Sequence, residues 1–111
     1  MLGVCYDRAL LLQRMDVLQA LDLVGVPAST LDNALAAIQE TRFDVMVICS
    51  RVPLADRITI TKEFRRRQHG KVVWPRVADE PECSLVDAYC EPGRPYEIVE
   101  TIRQVLEVPL Q

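Results

Sequence analysis

At 111 residues and 12.6 kDa, with half its residues apolar, the chain suits one compact domain over 1–111 with a small core. Its 16 acidic and 13 basic residues leave a formal charge of -3 and a pI near 5.1, which excludes a bulk electrostatic pull toward nucleic acid or anionic membrane. No apolar stretch reaches the roughly 20 residues of a membrane span, and Asp7 and Arg8 interrupt the N-terminal run too early for a signal segment. A cytoplasmic protein that does not engage a membrane is expected.

Residues 2 to 6 form an apolar run of strand length, and residues 8 to 22 place Leu11, Met15 and Leu18, and Leu10, Val17 and Leu21, at helical spacings. Gly25 and Pro27 punctuate a brief extended segment from Val24 to Ala28, after which Ser29 and Thr30 offer hydroxyl caps for a second helix. Thr30-Leu31-Asp32-Asn33 is only part of a capping box, because Asn33 stands where Glu or Gln would reach back. That helix should run to about Glu40 with Ala34, Leu35 and Ile38 inward. Phe43 to Ile48 lack polar alternation, as in a strand of a parallel sheet covered on both faces.

Residues 57 to 68 predict a third helix anchored by Ile58, Ile60 and Phe64, stopping near His69-Gly70. Lys71 to Trp74 predict a fourth strand and Leu85 to Cys90 a fifth. Pro95 suits the first turn of a last helix ending at Leu106, with Val99, Ile102 and Leu106 on one side. Strand and helix thus alternate, which implies parallel βαβ units in a three-layer α/β/α sandwich. Between the fourth and fifth strands only residues 75 to 84 remain, with Pro75, Pro81, Asp79 and Glu80, so a fourth helix should be short or missing.

The stretch Asp44-Val45-Met46-Val47-Ile48-Cys49-Ser50-Arg51-Val52-Pro53-Leu54-Ala55-Asp56 resembles the central strand of response-regulator receiver domains, with Pro53 and Asp56 following it. Ala28-Ser29, then Ala34-Leu35, and Asp87 before Tyr89 extend the resemblance along the chain. It implies the flavodoxin-like receiver fold, a five-stranded parallel sheet of order 2-1-3-4-5, with a crevice at the carboxyl ends of strands one, three, four and five. No effector domain follows in this sequence, so a stand-alone unit is expected.

In that family magnesium is held by an acidic pair after strand one and by the acceptor aspartate, because a hard cation wants oxygen ligands. A hydroxyl residue after strand four and a lysine after strand five handle the added charge. Here the acidic pair aligns with Tyr6 and Asp7, the acceptor with Cys49, the hydroxyl residue with Arg76, and the lysine with Glu91 next to Pro92. Only Asp7 keeps the family's residue, while Asp56 belongs to the loop. The resemblance therefore implies a degenerate receiver, without phosphate acceptance, metal or cofactor, and not an enzyme. Arg76 could bridge Asp7 or Glu91 and stand in for metal and lysine, or it could point into solvent.

The resulting reading is a phosphorylation-independent interaction module in two-component, phosphorelay-type signalling, partnered by a signalling protein or by a second copy. Two alternatives stay open: a receiver that still joins a phosphorelay by another route, and a thiol sensor or enzyme built on Cys49 and Arg76. A catalytic thiol wants a base or positive field, whereas a small buried residue filling the acceptor position is the simpler reading. Cys5, Cys49, Cys83 and Cys90 lack metal spacing and read as reduced structural thiols. The basic run Lys62 to Lys71 reads as a solvated helix end rather than a nucleic-acid site. Trp74 and Tyr89 read as packing residues, with thin cover that could leave apolar surface near Trp74.

Overall fold

The structure is a computed structural model and describes residues 1–7, 9, 11–13, 16, 25–75, 83–90 and 95–106. Its five strands, β1 (Leu2–Val4), β2 (Val26–Ala28), β3 (Val45–Ile48), β4 (Lys71–Pro75) and β5 (Ala88–Cys90), make one parallel sheet of order β2-β1-β3-β4-β5. This is the expected strand order. Three helices are bounded in full among the described residues: α1 (Leu31–Glu40), α2 (Leu54–Arg67) and α3 (Pro95–Leu106).

Strand alternation explains the missing polar positions in β3. Met46 and Ile48 join Leu2, Val4, Val72 and Trp74 in a core shared with Ala34 and Ile38 of α1 and Ile60 and Phe64 of α2. Val45 and Val47 face the other way, with Val73 and Cys90, onto Ile102 and Val105 of α3. Both faces of the sheet are covered, so both sets of side chains are apolar. Pro27 sits on the edge strand β2, where its missing N–H breaks no ladder.

Thr30 caps α1 as its position suggests, its Oγ1 accepting the Asn33 N–H at 3.1 Å. Helix α2 begins at Leu54, directly after Pro53 and three residues before the expected start. Its buried face is Arg57, Ile60, Thr61 and Phe64, while the expected anchor Ile58 is only half-buried. The strands are shorter than the apolar runs: β3 omits Phe43 and Asp44, and β5 omits Leu85 to Asp87, which form a turn and a bend. Of the expected helix over 8 to 22, residues 9, 11–13 and 16 are helical, with Leu11 buried and Leu12 exposed. Leu10, Met15, Val17, Leu18 and Leu21 lie outside the described residues, as do the side chains of Val99 and Leu106.

Candidate functional site

The ladders that join β3 to β1 and β1 to β2 run one residue beyond β3 and β1. Cys49 N–H donates to the Val4 carbonyl at 2.8 Å, and Cys5 N–H to the Ala28 carbonyl at 3.0 Å. Cys5 and Cys49 therefore end adjacent strands at the carboxyl edge, each 1% exposed. A turn closes behind Cys49, whose carbonyl accepts Val52 N–H at 3.1 Å while its Sγ accepts Arg51 N–H at 3.4 Å. The thiol is thus turned onto its own loop and packed into the core, as a small filler would be.

Tyr6 and Asp7 follow β1 over the same loop. The Tyr6 hydroxyl donates to Asp56 Oδ2 at 2.8 Å. Burial first, then that hydrogen bond and the charges of Asp56 and Asp32, push the phenol up to about 12, so it is neutral at physiological pH. Asp56 lies in the first turn of α2, where the positive end of the helix dipole also favours a carboxylate. Asp7 Oδ2 lies 3.8 Å from Arg51 Nη1, a loose contact between partly exposed groups that contributes at most about 1 kcal/mol.

Three of the sequence-predicted residues, Tyr6, Asp7 and Cys49, are therefore gathered around residues 49 to 56. Arg76 and Glu91, with the bridge suggested for them, lie outside the described residues. Two participants were not singled out from the sequence: Arg51 beside Asp7, and Asp56 as the acceptor for Tyr6. Arg51 gives no sequence signal beyond lying two residues after Cys49.

A larger surprise is Arg57, which is 2% exposed. Its Nε donates to the Val52 carbonyl at 2.9 Å, and its guanidinium lies 5.1 Å from the centre of the Trp74 ring, in cation–π range. Trp74 donates its indole N–H to Thr61 Oγ1 at 3.2 Å and meets Tyr89 edge to face, ring centres 6.3 Å apart. The Tyr89 hydroxyl accepts Cys83 N–H and donates to the Cys83 carbonyl at 3.1 Å. Trp74 and Tyr89 are register partners across β4 and β5. Trp74 itself is 1% exposed, in keeping with its reading as a packing residue.

Arg65 fastens the chain entering β5. Its Nε donates to the Leu85 carbonyl at 2.9 Å, Nη1 to the Gly70 carbonyl at 3.2 Å, and Nη2 to Asp87 Oδ2. The same Asp87 oxygen accepts Val72 N–H at 2.7 Å. On the exposed end of α2, Arg66 and Arg67 both hydrogen-bond to Glu63, holding its carboxyl down at about 2. Three arginines of the basic run are thus engaged within the chain. Among the described residues the cysteines are free thiols, no three His, Cys, Asp or Glu residues gather as a metal site, and no helix is long and apolar enough to cross a membrane.

Solved structures with this architecture are numerous, and their sequences are distant. The receiver domain of Francisella response regulator 1452 superposes with a TM-score of 0.79 at 19% identity, covering 94% of this chain and 93% of that one. The receiver domain of the hybrid histidine kinase CckA gives 0.79 at 19% identity, covering 96% and 97%. The Vibrio cholerae chemotaxis protein CheY4 gives 0.72 at 18% identity, covering 95% and 96%. The chain has the receiver-domain fold. No family model matches the sequence, and no curated protein matches it. In this fold the carboxyl ends of the central strands form the crevice where open α/β sheets place their sites, and Tyr6, Asp7 and Cys49 stand there.

Proposed function

We propose that the chain is a degenerate receiver, a module that works through protein–protein contact in two-component-type signalling without being switched by phosphate. The observation that carries this reading is the Tyr6–Asp56 hydrogen bond beside a buried thiol at position 49. The sequence resemblance to receivers implies that Cys49 stands at the phosphoacceptor position, and a thiol turned onto the Arg51 N–H in the core is a poor acceptor for a hard phosphoryl donor.

Magnesium, which the fold family implies, does not fit these residues. It demands oxygen ligands and prefers carboxylates. Tyr6 presents a neutral phenol whose proton is given to Asp56, Cys49 presents a soft sulfur, and only Asp7 offers a carboxylate, beside the cationic Arg51. The resemblance aligns Glu91 with the receiver lysine, and a carboxylate in place of that cation would repel phosphate; Glu91 and Arg76 both lie outside the described residues.

Amide resonances of Tyr6, Asp7 and Cys49 followed during titration with millimolar magnesium test this reading. Unmoved resonances support it. A saturable shift centred on Asp7 would restore a metal site and refute it.

A further inference from the structure

We infer that the amino-end edge of β3 and β4, opposite the Cys49 crevice, is a docking groove for an acidic peptide segment of a protein partner. This rests on the reading of the chain as an interaction module and names the chemistry that such a partner would present. The groove has a volume of about 570 Å³, an apolar floor from Phe43, Gly70 and Val105, and a rim carrying Arg42, His69 and Lys71. Beyond Arg42 a second depression continues past Arg66 and Arg67.

Charge and order both favour an anionic occupant. The chain is acidic overall, yet this edge gathers Arg42, Lys71, Arg66 and Arg67. Glu63 engages the last two, whereas neither Arg42 nor Lys71 forms an ion pair among the described residues. The groove is also preformed. Buried Gln68 ties its walls together, Oε1 accepting Phe43 N–H at 2.7 Å and Nε2 donating to the Ile38 carbonyl at 2.9 Å and the Thr41 carbonyl at 2.6 Å. Lys71 N–H adds a bond to the Asp44 carbonyl at 2.9 Å. Rigid walls reduce the ordering cost of binding.

The composition selects a peptide over nucleic acid. Asp44 lines the groove and Glu40 the neighbouring depression, so a phosphate at every step would meet carboxylates as well as cations. Phe43 is buried and offers no face for base stacking. A peptide with spaced carboxylates can place them on Arg42 and Lys71 and set an apolar side chain between them against the half-buried Val105.

The probe is a short synthetic peptide alternating Glu and Leu, titrated into isotope-labelled full chain and followed by amide chemical shifts. Shifts should centre on Phe43, His69, Gly70 and Lys71, and affinity should fall about tenfold or more in Arg42→Glu and in Lys71→Glu. Raising salt on the unaltered chain should weaken binding in parallel, a measurement that needs no variant. Absent or scattered shifts, unchanged affinity in the reversed-charge variants, or preference for an oligodeoxythymidine of equal length would overturn the inference. A failed titration leaves phosphate independence standing, and a phosphorylatable chain would leave the groove standing, so the two readings fail separately.

Discussion

Tyr6 and Asp56, 50 residues apart in the chain, meet through a 2.8 Å phenol–carboxylate hydrogen bond that ties the end of β1 to the first turn of α2. The bond uses a proton that the Tyr6 phenol retains until about pH 12. An unfolded tyrosine ionises near 10, so the folded state holds the proton more tightly between these values. The stabilisation is therefore complete below pH 10 and is lost as pH rises from 10 toward 12.

Phenolate absorbance should show a late ionisation step, and Tyr6→Phe should remove it. The variant should lose about 1 kcal/mol at neutral pH, the ordinary worth of one partly buried hydrogen bond. Loss of an ordinary step near pH 10 in place of the late one would separate Tyr6 from Asp56.

Arg57 should prove more important to stability than any surface arginine. Arg57→Ala leaves the Val52 carbonyl without its side-chain donor, empties space against Trp74 and removes the cation–π contact, for a loss of about 3 kcal/mol. Arg57→Met refills the space and should cost less. Trp74 is the chain's one tryptophan, so its fluorescence reports the change directly, shifting red as water reaches the indole. Equal denaturation midpoints and emission in parent and Ala variant would contradict this placement.

The crossover into β5 depends on one carboxylate. Asp87→Ala deprives Val72 N–H and Arg65 of their shared acceptor and should cost about 2 kcal/mol. Hydrogen exchange should quicken at Val72 and Val86, with little change at Ala34 in α1. A uniform slight acceleration across the chain would deny the local clamp.

Gly70 is required by space. A Cβ there would strike the Phe43 carbonyl oxygen and lie 2.8 Å from Phe64 Cζ and 3.0 Å from the Asp44 carbonyl oxygen. Backbone cannot yield as a flexible side chain can, so Gly70→Ala should destabilise by about 2 to 3 kcal/mol in chemical denaturation. A neutral result would mean that the turn into β4 can move away from Phe43.

Both covered faces and the Thr30 cap were legible because periodicity and capping act through neighbours in sequence, whereas the sheet order was implied by the resemblance to receivers. Tyr6, Asp7 and Cys49 are brought to one edge by the strand order that the resemblance to receivers implied. Arg57 was not legible. An arginine at a helix start normally faces water, and the Val52 carbonyl and the Trp74 ring, which help make its burial tolerable, come from separate elements. The pairing of Tyr6 with Asp56 was hidden for the same reason: nothing local marks a phenol and a carboxylate 50 residues apart as partners. The early start of α2 escaped because Pro53 supplies no side-chain cap, leaving Asp56 and the dipole as the signals at that end.

The central claim is that the crevice around Cys49 does not accept phosphate. Incubating the full chain with acetyl phosphate and magnesium, then weighing the intact protein under conditions that preserve acyl phosphates and phosphothiols, tests it most directly. The account expects an unchanged mass, with a conventional receiver phosphorylated in parallel. A gain of one phosphoryl group that Cys49→Ala abolishes would contradict it.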